Sequence, residues 1–363
     1  TWELRQYKRT ALPMGAYKTI VLSLLTFVLP VGILLITQNP GTGTLLAVLM
    51  ALILTPAIYD PLMTCVNYGS QMGMLAVGLD AIDGILDEEP IAAPHVPQMP
   101  KTWAVAYHDV SFSYQHMDDP LRVMALSHID FVAPQGQLTA LVGPSGGGKS
   151  TIGQLLNRFW DVEAGTITVG GIDIRDIDPK VLMDNVATVM QDTYIFADTI
   201  LGNITMNRPY TQAQVEQATN AAQCHDFISA MPKGYKTRIG TGGASLSGGE
   251  AQRLSIARAI LKGSPIVLLD EALAYSDAEN ENLIQQAIKN LVKGKTVIII
   301  AHRLQSIRGA NQILVLHSGQ ITERGTHGEL MAANTEYRTL WELQHEADAW
   351  AIEVDSDKQE VIA

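Results

Sequence analysis

Two long apolar runs dominate the first quarter of the chain. Residues Tyr17 to Thr37 are mostly Leu, Val and Ile, and a second run extends from Leu45 to about Val66. Between them, Gln38-Asn39-Pro40-Gly41-Thr42-Gly43 combines amides, a proline and glycines, which predicts a turn. No Asp, Glu, Lys, Arg or His occurs from Thr19 to Tyr59. A helix over the first run would be about 31 Å long, enough for a bilayer core. The pattern therefore predicts two antiparallel spans, near 17–37 and 44–66. A buried hairpin of core helices is the soluble alternative. Arg5, Lys8, Arg9 and Lys18 precede the first run against a single Glu3. That cation bias places the N-terminal flank, and the chain beyond the second span, in the cytoplasm. Asp60, between Pro56 and Pro61, reads as a charge at the inner interface or in a water-filled opening. A functional carboxylate inside the membrane is the alternative.

Beyond Tyr68 the period stays helical. Leu75, Leu79, Ile82 and Leu86 recur with Asp80, Asp83 and Asp87 between them, which predicts an amphipathic cytoplasmic stalk to about residue 88. Pro90, Pro94, Pro97 and Pro100 mark a stiff linker over 91–100. From Trp103 apolar strands alternate with helical segments, the pattern of an α/β domain. The expected organisation is a membrane part over 1–90, the linker, a soluble domain over 101–345 and an acidic tail over 346–363.

Composition sharpens this picture in one respect. Of 363 residues only 17% are charged, against about 25% in an ordinary soluble domain. The deficit sits in the two apolar runs. A net charge of −12 with no basic run excludes a dedicated nucleic-acid binder. The 47% hydrophobic content excludes a disordered chain. Cys65 and Cys224 are far apart and lack metal-ligand spacing, so reduced thiols are expected. The first residue is Thr1, which agrees with a fragment whose true start lies upstream.

The soluble part carries phosphate chemistry. Leu138 to Val142 reads as a short buried strand that runs into Gly143-Pro144-Ser145-Gly146-Gly147-Gly148-Lys149-Ser150-Thr151. This is GxxxxGK[ST], a phosphate loop. Its glycines let successive N–H groups face phosphate oxygens. Lys149 neutralises the β- and γ-phosphates, and the Ser150 hydroxyl suits Mg²⁺. The following helix, with Ile152, Leu155 and Leu156 inward, aims its N-terminal dipole at the anion. Ile266 to Leu269 form a continuous apolar strand, expected to lie centrally in a parallel sheet, ending in Asp270 and Glu271. Asp270 is placed to hold Mg²⁺, directly or through water, and Glu271 to polarise a water in line with the γ-phosphate.

At Leu246-Ser247-Gly248-Gly249-Glu250, followed by Gln252-Arg253, the chain resembles the signature motif of ABC-transporter ATPases. The motif lies between the phosphate loop and the Asp270-Glu271 strand, as in that family, and the resemblance covers nearly all of 101–345. It implies that Tyr114 stacks on adenine and that Gln191 meets Mg²⁺ and the membrane domain. It also implies that His302 contacts the γ-phosphate and that Asp277 belongs to the loop after the catalytic glutamate. In such a family two ATPase domains pair head to tail. Ser247, Gly248, Gly249, Glu250 and Asp277 would then reach ATP held by the partner. The segment from about Thr211 to Lys262 would be the helical subdomain.

The resulting fold expectation is two membrane helices plus an α/β phosphate-loop ABC ATPase domain with a helical subdomain. The order of parts resembles an exporter-type half-transporter reduced to its last two spans, with a homo- or heterodimeric partner, ATP and Mg²⁺ as ligands, and lipid around the spans. The expected place is the cell membrane, multi-pass, with the ATPase domain cytoplasmic. Drug, lipid or peptide export and siderophore-iron uptake all fit that order. A soluble non-transport ABC ATPase module is the alternative, and a binding-only ABC protein a third. Two positions and one loop depart from the family pattern: Glu250 replaces the usual Gln, Thr241 replaces a common Glu, and Ala272 to Asp277 reads Ala-Leu-Ala-Tyr-Ser-Asp.

Overall fold

The computed structural model describes residues 19, 23, 26–87, 90–115, 119, 121–240, 243–270, 278–301 and 303–346. The chain divides into two compact units, Thr1–Pro90 and Ile91–Ala363. Glu271, Asp277 and His302 lie outside the described residues, as do Thr241, most of 17–25 and the tail from 347.

In the first unit, residues 26–38 are helical and a short turn at 39–41 follows. The amide of Gly41 donates to the Asn39 carbonyl, and those of Thr44 and Leu45 donate back to Gly41. The next helix, Thr42–Leu86, is 45 residues long and unbroken at Pro56 and Pro61. The two helices approach closely at Gly32, where an added Cβ would lie 2.6 Å from a Val48 methyl. From Gln71 to Asp87 every side chain is exposed. The expected amphipathic stalk is thus helical, but Leu75, Leu79, Ile82 and Leu86 have no cover within this unit. Among the described residues no helix is long and apolar enough to cross a membrane.

The second unit is built on two sheets. The larger contains β3 (Leu138–Val142), β6 (Val186–Val189), β7 (Ile266–Asp270), β8 (Thr296–Ile300), β9 (Gln312–His317) and β10 (Gln320–Gly325), in the order β10-β9-β3-β8-β7-β6. All its pairs are parallel except β9 with β10. The smaller, antiparallel sheet joins β1 (Val105–Phe112), β2 (Leu126–Ala133), β4 (Ala164–Val169) and β5 (Ile172–Asp173), in the order β2-β1-β4-β5.

Both faces of the larger sheet are buried, which is why its strands read as unbroken apolar runs. Alternation along each strand splits the core in two. Ala140 and Val142, Val267 and Leu269, and Val297 and Ile299 face one cluster, with Leu254, Ile256 and Ala257 of the helix Gly248–Lys262. Leu141, Leu268, Ile298 and Ile300 face the other, against Tyr107, Ile129 and Phe131 of the smaller sheet and Ile152, Leu155 and Leu156 of the helix Lys149–Leu156. Tyr107 is fully buried and its hydroxyl donates to the Ile152 carbonyl at 2.7 Å. That bond ties the small sheet to the helix following the phosphate loop. Cys224 is also buried, and desolvation pushes its thiol up to about 12, so it stays protonated at neutral pH.

Strand β7 is interior but next to the edge strand β6, rather than at the centre, which β3 and β8 occupy. The parallel strands β3, β6 and β7 deliver Gly143, Gln191 and Asp270 at or just past their carboxyl ends. In open α/β sheets that is where ligands bind.

Candidate nucleotide site

The phosphate loop is shaped by three glycines with positive φ: Gly143 at 135°, Gly146 at 79° and Gly148 at 95°. At Gly143 the constraint is also steric, since a Cβ there would lie 2.0 Å from the Leu316 carbonyl oxygen of β9. Gly143→Ala is expected to destabilise the domain by about 2 kcal/mol or more. Differential scanning fluorimetry should then show a midpoint lower by about 4 °C. An unchanged midpoint would count against this account of the loop.

Lys149 opens the helix Lys149–Leu156 and is only 5% exposed. Its ammonium donates to the carbonyls of Gly143 and Pro144, each at 2.8 Å. The loop's own oxygens thus hold the cation where phosphate oxygens would replace them. Pro144, Ser145, Gly146 and Ser150 are exposed, Gly148 is half-buried, and Gly147 and Thr151 are buried.

Ser150, Gln191 and Asp270 line one cavity of about 230 Å³. They come from the helix after the loop, the segment after β6 and the end of β7, so the sheet topology brings together three residues far apart in the sequence. Gln154, Asn157, Thr188 and Asp192 share the lining and escaped the sequence reading. Gln154 could have been found, because it follows Ser150 by four residues on one helix face. The donor set of one hydroxyl, one amide oxygen and one carboxylate suits Mg²⁺, a hard cation that takes few protein ligands. Among the described residues no group of three or more His, Cys, Asp and Glu side chains could hold a metal.

Tyr114 follows β1 and is 45% exposed. Its hydroxyl donates to Gln154 Oε1 at 2.6 Å and lies 3.1 Å from the Thr151 hydroxyl. Tyr114 therefore stands beside the phosphate loop, in contact with two residues of its helix.

The signature residues occupy a separate helix end. Ser247 is the N-cap of the helix Gly248–Lys262, in a capping box with Glu250. The Ser247 amide donates to Glu250 Oε2 at 2.8 Å, its hydroxyl does so at 2.9 Å, and the Glu250 amide returns to Ser247 Oγ at 3.3 Å. Ser247 and Gly248 are exposed, whereas Gly249 is buried beside Asn280. The same helix grips the segment after Gln191. Thr193 Oγ1 donates to Gln252 Oε1 at 2.5 Å, and Arg258 donates to the Tyr194 carbonyl at 2.7 Å. Burial lowers the pKa of Arg258 without neutralising it at physiological pH. The phosphate-loop cavity and the signature helix are thus linked inside one chain.

Comparison with known proteins bears on these two helix ends. Residues 126–274 match the family described as ABC transporter, from the start of β2 to just past β7. Residues 126–274 are an ABC transporter domain. It is 40% identical over 315 residues to an ATP-dependent lipid A-core flippase of Desulfotalea psychrophila, covering 85% of this chain and 53% of that protein. It is 47% identical over 238 residues to a protein of the same description from Vibrio cholerae, covering 65% and 40%. The solved structure of a bacterial Atm1-family ABC exporter with ATP bound aligns with a TM-score of 0.67 and 30% identity, covering 94% of this chain and 59% of that one. The fold is accordingly that of an exporter-type ABC protein with an ATP-binding domain. The chain spans about half the length of the curated relatives it matches.

Within this ABC protein, Tyr114, residues 143–151, Gln191 and Asp270 gather around the phosphate loop. Ser247, Gly248, Gly249 and Glu250 gather at the signature helix. Glu271, Asp277 and His302 complete the sequence-based set from outside the described residues.

Proposed function

We propose that this chain is the ATP-hydrolysing part of an exporter-type half-transporter, attached to the membrane by two spans and paired with a second half. The observation that carries the reading is the convergence of Ser150, Gln191 and Asp270 on one cavity under a phosphate loop. ATP would lie along the loop with its base on Tyr114 and its β- and γ-phosphates beside Lys149. Ser150, Gln191 and Asp270 would hold Mg²⁺, which screens phosphate charge during hydrolysis. Glu271 acts as general base on the attacking water, and His302 binds the γ-phosphate. Ser247, Gly248, Gly249, Glu250 and Asp277 face the ATP of the partner. The exposed N-terminus of the helix Gly248–Lys262 supports this role, since such an end attracts anions.

The apolar runs 17–37 and 44–66 are proposed as spans, with the ATPase domain in the cytoplasm. Support comes from the charge-free stretch Thr19–Tyr59 and from large apolar side chains left exposed there. Phe27, Ile33, Leu46 and Ile53 are among them. The lipid named for the flippase relatives is the substrate class to test first.

The test is extraction followed by assay. The full chain is expected to stay with membranes at alkaline pH, to require detergent for release, and to hydrolyse ATP only with Mg²⁺. Release into the aqueous fraction with ATPase activity intact would favour a soluble ABC ATPase module instead. Absence of hydrolysis by the assembled dimer would favour a binding-only protein.

A further inference from the structure

Tyr114 is held from three sides. Phe112, buried in β1, meets its ring at 4.9 Å between centroids and 85°. Trp160 meets it at 5.7 Å and 88°. Gln154 fixes the hydroxyl at 2.6 Å. Both aromatic neighbours stand perpendicular to Tyr114, so neither stacks on it, and Trp160 is itself 46% exposed. The result is a corner with two open aromatic walls at right angles, beside the phosphate loop. Gln154 and Ser150 share one helix, so the corner and the phosphate cradle are parts of one rigid piece.

We propose that Trp160 and Gln154 are positioning residues that lock Tyr114 as the platform for the nucleobase. The inference deepens the ATP-site reading and rests on it. A lone exposed tyrosine would have to give up ring rotation each time a base stacks. Here that freedom is removed in advance by an edge-to-face partner and a hydroxyl acceptor. Gln154 adds a second function, because it sets the distance between the base platform and the loop that holds the phosphates. Trp160 follows that helix by four residues, beyond its C-cap Asn157, so the same short segment supplies both supports.

The experiment measures MgADP affinity by calorimetry and MgATP turnover, with the full chain in detergent. Trp160→Ala should raise the dissociation constant for MgADP and the KM for ATP by about fivefold to tenfold. At saturating ATP, kcat should stay within about twofold, because the variant alters ground-state and transition-state binding alike. Trp160→Phe should restore affinity, since a phenyl ring still presents an edge. Gln154→Ala should weaken binding in the same direction. MgADP should also change the indole fluorescence of the wild type, and Trp160→Phe should diminish that change. Wild-type affinity in both alanine variants would overturn the proposal. So would a loss confined to kcat, or a Trp160→Phe variant as weak as Trp160→Ala. A wild-type chain that binds no MgADP would instead overturn the ATP-site reading.

Discussion

Glu271→Gln is expected to lower ATP turnover by about a thousandfold while leaving MgATP affinity within about twofold. The substitution keeps size and hydrogen-bonding reach but removes the charge proposed to polarise water. Glu271 directly follows Asp270, the last residue of β7 and a lining residue of the phosphate-loop cavity. A general base needs that adjacency, since it must act within hydrogen-bond reach of a water aimed at the γ-phosphate. Because binding survives, ATP should accumulate on the protein and the paired, ATP-loaded form should become the dominant species. Phosphate release and nucleotide retention on the same preparation check both halves. Turnover within tenfold of wild type would remove Glu271 from the base position.

Lys149→Ala should act at the other end of the cycle, by preventing binding. The ammonium is nearly buried and satisfied by the Gly143 and Pro144 carbonyls at 2.8 Å. Phosphate oxygens would exchange for those carbonyls, adding a charge–charge interaction of about 4 kcal/mol at an effective dielectric near 20. Truncation should therefore weaken MgATP binding by about 100-fold, or about 2.7 kcal/mol, and abolish measurable hydrolysis. Lys149→Arg should fail to rescue, because a planar fork cannot occupy a space shaped for a point donor. The two variants are distinguishable in one titration: Glu271→Gln binds and stalls, whereas Lys149→Ala stays empty. Wild-type affinity in Lys149→Ala would refute the phosphate-site assignment.

The parts of this site that were legible in the sequence are the local ones. The phosphate loop is nine contiguous residues whose glycines, cation and hydroxyl must be neighbours to work. The β7 strand announces itself by an apolar run ended by acids. What sequence spacing could not supply are the supports that join distant segments. Gln252 meets Thr193 across 59 positions, and Tyr114 meets Gln154 across 40. Each partner alone is an ordinary polar residue on a helix or loop, and only the sheet order makes them adjacent. The apolar run of β7 points to the middle of the sheet, and its place beside the edge strand is not legible for a similar reason. A strand buried on both faces has the same composition wherever it lies between two neighbours. The smaller antiparallel sheet was also hidden, since bulges in β1 at Tyr107/Val110 and Val110/Phe112 break the alternation that would have marked it.

The reciprocal bonds between Ser247 and Glu250 carry a consequence for assembly. They complete the first turn of the signature helix before any partner arrives. On the proposed pairing with a second half, a surface already frozen in its docking shape would surrender little disorder. The proposed closure should then need less nucleotide, like a latch with a stiff tongue. Loosening that cap would raise the nucleotide concentration that the proposed closure needs.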